Sequence, residues 1–244
     1  MDRRVTPELM DRPDADPAEL RRSLGYIRWV NRRLGGRWAV RTALSAWSKS
    51  WPKDRPVTLL DIATGSADLP VYAVRWARQR GFDLRVTAVD NHPVTLEAAR
   101  EHLAGCEDER DAIELVECDA FGLVDRYGAE SFDHVHAGLF LHHLPSELRV
   151  MTMLRMIERL GRAGTAWNDL VRSRIAHRAI RLLTIGKPEM VRHDARVSVE
   201  GAFTRREAIS VAVRSDWNKP VYRFHPIAQR FVLYTDLPIA WRRP

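Results

Sequence analysis

Strand-like and helix-like segments alternate strictly between residues 57 and 169, and this alternation limits the fold more than any other feature of the sequence. Short β-branched runs predict strands at 57–62, 84–89, 113–117, 132–137 and 164–168. Helical stretches lie between them, at 68–80, 93–104 and 146–160. Such alternation predicts an α/β fold, in which a parallel sheet carries helices on both faces and the crossovers are right-handed.

The flanking segments are less regular. Residues 1–16, rich in charge and proline, predict a loose arm, and two helices are expected at 17–34 and 38–49. Asp16 should cap the first of these helices, with Pro17 at its first position. Beyond residue 169 we expect an arginine-rich helix at 170–183, an irregular stretch at 186–203, a capped helix at 204–214, and strands at 217–224 and 231–234.

No repeat, low-complexity tract or Gly/Ser linker divides the chain, so the sequence predicts a single domain over residues 1–244. Within it we distinguish an N-terminal arm with helices (1–52), a core (53–169), an insertion (170–203) and a C-terminal helix with strands (204–244). The insertion follows a strand end, where segments that cover active sites commonly lie.

Composition excludes several classes of protein. Of the 244 residues, 45% are hydrophobic and 29% charged, which is typical of a globular domain rather than a disordered or collagen-like chain. No apolar run or signal-like segment predicts a membrane span or secretion, and two cysteines favour the reducing cytoplasm. The net charge of +7 is compatible with nucleic-acid binding. Few aromatic residues lie among the arginines, however, and this scarcity disfavours nucleic acid as a partner.

Acidic residues mark the ends of the first three predicted strands. Asp61, Asp90 and Asp119 each stand at or just after a strand end, and in open parallel sheets ligands bind beyond these ends. Gly65 would let the backbone approach a ligand closely. Asp90 is placed to accept hydrogen bonds from both hydroxyls of a ribose, and Asp119 from the exocyclic amine of adenine. The arrangement predicts a nucleoside site.

With these residues in order, the chain resembles the class I S-adenosylmethionine-dependent methyltransferases over about residues 20–235. The glycine loop of that family usually reads Asp/Glu-x-Gly-x-Gly-x-Gly, whereas here Asp61 is followed by Ala63, Gly65 and Ala67. The segments 61–65 and 30–34 are similar to the ubiquinone/menaquinone-biosynthesis type. The segments 139–144, 167–173, 192–194, 197–199 and 202–204 resemble a bacterial subgroup found beside type III polyketide synthases.

The resemblance implies a Rossmann-like, seven-stranded, mostly parallel methyltransferase sheet with a helical lid after strand five. It implies S-adenosylmethionine as donor and, as acceptor, an aromatic or polyketide-like small molecule of secondary metabolism, methylated at a hydroxyl. The residues it assigns to the donor are Asp61, Ala63, Thr64, Gly65, Asp90, Asn91, Asp119, Ala120, Gly138 and Leu139.

The acidic residues at the strand ends are also compatible with other functions. A dehydrogenase would need Gly-x-Gly-x-x-Gly, and Asp68 at the start of a helix would repel a diphosphate. C-methylation of a quinone-like ring, methylation of RNA and nucleoside binding without catalysis stay compatible with the sequence. A homodimer is also left open.

Histidines and arginines supply the candidates for catalysis and acceptor binding. His142 and His143 follow the fourth strand, where one of them could take a proton from a phenol. The alternative is structural, with one of the histidines near this strand in the core and another capping the helix that follows Pro145. No metal ligand is predicted, because no carboxylate or cysteine shows suitable spacing. For the acceptor we expect Arg172, Arg192 and His193.

Overall fold

The computed structural model describes residues 2–236, and seven of its strands form one sheet in the order β3-β2-β1-β4-β5-β7-β6. Strands β1 to β5 are parallel where they pair, β7 is antiparallel to β5, and β6 is antiparallel to β7. The predicted Rossmann-like, mostly parallel sheet is therefore confirmed. Its strands are β1 (Val57–Ile62), β2 (Leu84–Asp90), β3 (Ile113–Glu117), β4 (Phe132–Gly138), β5 (Gly161–Leu170), β6 (Val221–His225) and β7 (Arg230–Tyr234).

Helices cover both faces of the sheet, each over its own hydrophobic core. Helices α2 and α3, with the end of α4, bury one face, whereas α6, α7 and α10 bury the other. The helices are α1 (Pro17–Arg33), α2 (Gly36–Trp47), α3 (Asp68–Arg78), α4 (Pro93–Ala104), α5 (Glu107–Arg110), α6 (Leu123–Tyr127), α7 (Glu147–Leu160), α8 (Arg174–Leu183), α9 (Glu189–Gly201) and α10 (Arg205–Val213).

Side-chain caps fix the starts of several helices. Asp16 accepts a hydrogen bond of 2.8 Å from the amide of Glu19, with Pro17 in the first turn, as predicted. Thr204 and Glu207 form the capping box that starts α10. Ser173 caps α8, so this helix begins after the predicted residue 170, which instead ends β5.

Residues 2–16 are not a loose arm, and that prediction was wrong. They have little regular structure, but the Arg3 guanidinium donates to the carbonyls of Gly201 and Leu144, at 2.8 and 3.0 Å. The Asp194 carboxylate accepts the amides of the neighbouring residues 9 and 10, at 2.7 and 3.1 Å. Buried Glu8 belongs to the same segment. We call residues 2–16 the docked arm.

The stretch 186–203 was expected to be irregular, and the structure corrects this as well. Helix α9 occupies most of it and buries Met190, Val191, Asp194 and Val197. Their spacing places them on one helical face. Valine is a weak helix former, so packing rather than intrinsic propensity decides this helix.

Candidate active site

A cavity of about 800 Å³ lies at the carboxyl ends of the parallel strands. Its floor comes from the ends of β1, β2 and β4. Helices α1, α8 and α9 and the docked arm form its walls and roof, and Arg230 reaches it from the start of β7. Because the sheet, two later helices and the arm all contribute, residues distant in sequence face one shared space.

The loop after β1 runs in an unusual conformation along one wall of this cavity. Ala63, Gly65 and Ala67 have φ values of 55°, 59° and 57°, so all three positions are left-handed. Glycine adopts this conformation freely, whereas alanine does so at a cost of about 1–2 kcal/mol. These are the three positions at which the expected loop carries glycine. The two alanines therefore keep the backbone path of that loop under strain.

Asp90 joins this loop to the end of β2. One carboxylate oxygen accepts the amide of Gly65 at 3.0 Å, and the other accepts the amide of His92 at 3.1 Å. Burial raises the pKa of Asp90, and these two hydrogen bonds offset only part of the increase. Asp90 and its neighbour Asn91 line the cavity together with Ala63 and Thr64.

Asp61 sits at the centre of a buried polar network beneath the loop. Its carboxylate lies 2.5 Å from Nδ1 of His136 and accepts the hydroxyl of Thr64 at 2.7 Å. Nε2 of His136 lies 2.6 Å from the side-chain amide of Asn168. A neutral imidazole with its proton on Nδ1 satisfies both contacts. Gly138 is required here, because a Cβ would stand 2.7 Å from the Asn168 amide nitrogen.

His142 and His143 lie at the other end of the cavity, each beside an acidic side chain. Nδ1 of His142 is 2.7 Å from Asp169, and Nδ1 of His143 is 2.7 Å from Asp11 of the docked arm. Glu8 faces both rings, with Oε1 at 3.4 Å from Nε2 of His142 and 3.8 Å from Nε2 of His143. We call Glu8, His142 and His143 the arm–histidine cluster.

The charges of this cluster change the pKa values of its members. Burial alone would lower the pKa of both histidines, but Asp169 raises that of His142, and Glu8 with Asp11 raises that of His143. Burial would raise the pKa of Glu8, yet the two histidines hold it below its usual range. The carboxylates around the two rings therefore favour positive charge at this end of the cavity.

Several predicted site residues lie elsewhere. Asp119 accepts the amide of Phe121 at 2.8 Å, and neither Asp119 nor Ala120 lines the cavity, so the adenine contact stays a prediction. Buried Arg172 donates to the Ala202 carbonyl and pairs with Glu207 at 2.5 Å. It fixes β5 to α10 rather than facing an acceptor.

Arg192 and His193 do not line the cavity either, although both belong to α9. His193 contacts the Asp194 carboxylate, which anchors the docked arm. The structural interpretation of the remaining histidines is borne out in part. His134 stacks on Trp47 in the core, whereas the cap after Pro145 is Ser146, which accepts the amide of Arg149.

Three further cavity residues, Asn31, Asp68 and Arg230, were not predicted as site residues. Asn31 donates to Asp68 at 3.3 Å and accepts from Arg230 at 2.9 Å. The Arg230 guanidinium is fully buried, and its Nε and Nη2 have no hydrogen-bond partner among residues 2–236. The sequence indicated one of these three residues, because Asn31 is a polar residue on an otherwise apolar helix face.

Comparison with known proteins finds a sequence match over part of the sheet core. Residues 59–164 match the family model of a methyltransferase domain. The matched residues, which make up less than half of the chain, lie in the sheet core from β1 to β5. No curated protein matches the chain in sequence.

Solved structures show that the methyltransferase fold extends beyond these residues. Magnesium protoporphyrin IX methyltransferase (ChlM) from Synechocystis PCC 6803, with bound SAH, is 10% identical with a TM-score of 0.61, covering 91% of this chain and all (100%) of that one. The plantazolicin methyltransferase BamL, also with SAH, is 15% identical with a TM-score of 0.58, covering 84% and 71%.

An O-methyltransferase family protein from Burkholderia thailandensis is similar as well, at 15% identity and a TM-score of 0.58. The match covers 92% of this chain but only 59% of the Burkholderia chain, so the two differ substantially in length. No helix among residues 2–236 has the length and apolar character needed to cross a membrane.

Proposed function

We propose that this protein transfers a methyl group from S-adenosylmethionine to a hydroxyl oxygen of a small phenolic or polyketide-like molecule. The observation that carries the proposal is the continuity of the cavity. Its volume of about 800 Å³ extends from the Asp90–Gly65 contact to the arm–histidine cluster. Ligand pockets commonly have about 300–1,000 Å³, and this one lies at the upper end of that range. It therefore has space for a donor and an acceptor side by side.

The donor would occupy the end of the cavity near β1 and β2. Asp90 would accept hydrogen bonds from the ribose hydroxyls, and Gly65 would let the backbone follow the ligand. Ala63, Thr64, Asn91, Gly138 and Leu139 line the same end. Asp61 and Asp68 would offset the positive charges of the sulfonium and ammonium groups, and the unpaired nitrogens of Arg230 are available for the donor carboxylate.

The acceptor would occupy the end roofed by α8, α9 and the docked arm. Apolar side chains line this region, among them Met10, Ile27, Ile180 and Val191. Methyl transfer from a sulfonium needs mainly alignment of donor and acceptor, and a cavity that holds both would supply that alignment. The O-methyltransferase family neighbour from Burkholderia favours oxygen as the acceptor atom.

The charge of the cavity argues against RNA as acceptor. Its lining includes the acids Glu8, Asp11 and Asp194 at the roof and Asp61, Asp68 and Asp90 at the floor. A phosphate backbone would be repelled by such a surface. We further propose that the protein belongs to the polyketide-associated subgroup and acts in secondary metabolism in the cytoplasm. Its two cysteines are free thiols, as expected in a reducing compartment.

Calorimetry and product detection test this function together. The purified chain should bind S-adenosylmethionine and, when supplied with a panel of phenols and polyketide-derived resorcinols, should release S-adenosylhomocysteine with formation of a methyl ether. A panel of quinols and a structured RNA serve as comparison acceptors. Methyl transfer only to carbon or to RNA would overturn the acceptor class, and failure to bind the donor would overturn the function.

A further inference from the structure

The arm–histidine cluster brings three metal-ligating groups together from distant parts of the chain. Glu8 comes from the docked arm, whereas His142 and His143 follow β4. One ligand atom from each residue can be chosen so that all three lie within 4.8 Å of one another. Four-coordinate metal sites with bonds of about 2.0–2.1 Å separate their ligand atoms by roughly 3.4 Å. The Glu8–His142 distance of 3.4 Å and the Glu8–His143 distance of 3.8 Å are close to that separation.

Nε2 of His142 is the ligand atom in this cluster that is best placed to bind a metal ion. Nε2 of His142 is buried and makes no well-aligned hydrogen bond among residues 2–236, although Oε1 of Glu8 lies 3.4 Å away. A buried polar atom left without a partner is destabilising by about 1–3 kcal/mol, so folded proteins rarely retain one without a use. The atom points toward Glu8 at the cavity wall.

The opposite nitrogen of each ring is held by a carboxylate. Asp169 holds Nδ1 of His142, and Asp11 holds Nδ1 of His143, both at 2.7 Å. Histidines that bind metals almost always have such a partner, which fixes the ring orientation and directs Nε2 at the metal. Ser198 donates to Glu8 and orients the third group in the same way.

We propose that Glu8, His142 and His143 bind a divalent transition-metal ion, with Zn²⁺ or Fe²⁺ as the best match to two imidazoles and one carboxylate. Mg²⁺ and Ca²⁺ prefer oxygen ligands alone and fit poorly. Three carboxylates, Glu8, Asp11 and Asp169, surround the two rings, and a divalent cation reduces their mutual repulsion. Three protein ligands leave a fourth position open, as in catalytic zinc sites.

The open position gives the site a specific role. All three ligands line the cavity at the end assigned to the acceptor. In the proposed methyl transfer, on which this step rests, an acceptor hydroxyl bound to the metal would lose its proton more readily. The metal would thus select acceptors with an ionisable oxygen and would hold that oxygen toward the donor.

Metal binding can be measured without the reaction. The full-length chain, stripped with a chelator and dialysed, is titrated with Co²⁺, whose visible absorption reports tetrahedral coordination, and with Zn²⁺ by calorimetry. We expect one ion per chain and the intense bands of a four-coordinate site. Donor affinity is measured by calorimetry on the same metal-free protein, so that a failure of the metal site and a failure of the proposed function are separate results.

Three variants locate the ion. Glu8→Gln and His143→Gln should each weaken Co²⁺ binding by more than about 100-fold, since loss of an outer partner alone weakens binding by about 10–100-fold. Asp11→Asn, which changes only the partner of His143, should weaken it less. His177→Gln on α8 is the matched control, because His177 contacts Glu200 and lies outside the cluster, and it should bind as tightly as the unmodified chain.

Circular dichroism and thermal unfolding identify variants that fail to fold. Glu8→Gln and Asp11→Asn should keep the fold, because both residues lie in the docked arm, outside the sheet. The proposal is overturned if the folded, unmodified chain binds neither Co²⁺ nor Zn²⁺ at concentrations of about 100 µM, far weaker than metal sites that serve a function. It is also overturned if folded Glu8→Gln and His143→Gln both bind the ion like the control.

Discussion

Asp61 and His136 are direct partners across the neighbouring strands β1 and β4, and their side chains meet at 2.5 Å between Oδ1 and Nδ1. Both side chains are almost completely buried. The contact links the strand that carries the donor loop to the strand that leads to the arm–histidine cluster. It therefore stabilises the sheet at the floor of the cavity.

Replacing His136 with alanine should destabilise the fold markedly. The variant leaves the Asp61 carboxylate buried with only Thr64 as a side-chain partner, and a buried charged group that loses a hydrogen-bond partner is destabilising by about 3 kcal/mol. Urea unfolding followed by circular dichroism measures the loss. His177→Ala, a half-buried histidine on α8, is the control and should change the free energy of unfolding little. Equal effects of the two substitutions would contradict the role of the pair.

Asp90→Ala should weaken binding of S-adenosylmethionine by about 30-fold, since a hydrogen bond to a charged group contributes roughly 1.5–3 kcal/mol. The carboxylate also holds the Gly65 amide, so Asp90→Asn, which keeps an acceptor oxygen, should lose less affinity. Isothermal titration calorimetry gives both affinities. Asp125→Ala on α6 provides a control outside the cavity. An unchanged affinity in folded Asp90→Ala would refute the placement of the ribose.

The donor loop allows a matched pair of opposite substitutions. Ala63→Gly relieves a left-handed alanine and should stabilise the protein by about 0.5–1 kcal/mol. Gly65→Ala imposes the same strain and should destabilise it by about 1 kcal/mol or more. Space does not interfere, because a Cβ at residue 65 would meet only Leu24 at 3.8 Å. Thermal unfolding measures both, and changes of the same sign would contradict the argument.

Asp68 should make stability fall as the pH rises. Burial raises its pKa to about 6, and nearby Asp61 adds to the increase, while Asn31, Arg28 and Arg230 oppose it. The folded value lies above the unfolded value of about 3.9. The carboxyl therefore favours folding below about pH 4, and this contribution is lost through pH 6.

Asp68→Asn lacks this titration and keeps an oxygen for Asn31. The variant should gain about 2–3 kcal/mol over the unmodified protein between pH 4 and pH 8, from the size of the pKa increase. Urea unfolding across that range measures the difference. A gap that stays constant with pH would show that Asp68 does not titrate as the buried site implies.

Ligands should protect the segment between α8 and α9 from proteolysis. Helix α8 exposes Ile175 and Leu182, and Ile185 follows it, so few contacts hold this part of the insertion. Donor and acceptor together should hold it over the cavity and slow trypsin cleavage at Arg181, in the last turn of α8. Cleavage at Arg110, on the far edge of the sheet, is the internal reference. Equal rates with and without ligands would identify the segment as fixed surface.

Local patterns were enough to predict the sheet and the donor edge. Strand ends are encoded in short runs of sequence, and the topology of parallel sheets brings such ends together, so Asp90 and Gly65 could be placed at one edge beforehand. The helix caps at Asp16 and Thr204 were equally local. The resemblance rests on the same local motifs. It correctly predicted the fold and the match to a methyltransferase domain, whereas the polyketide-associated subgroup stays a prediction.

The acceptor end depended on contacts that no local pattern encodes. Glu8 stands in a proline-containing, charged segment that predicts an arm, and only its docking against α9 turns it toward the histidines. Arg172 and Arg230 illustrate the same problem, since both border strands in the sequence. Pairing with Glu207 turns Arg172 away from the cavity, whereas Arg230 enters it through its place on an antiparallel strand.

The docked arm makes completion of the site a late event in folding. Its Glu8 contacts Ser198, 190 residues further along the chain, so this part of the cavity has very high contact order. During synthesis the sheet core can form from residues already released, but the roof closes only after α9 has emerged from the ribosome. A nascent chain that ends after β5 would hold the donor edge open to water, with no enclosed space in which an acceptor could meet the methyl group.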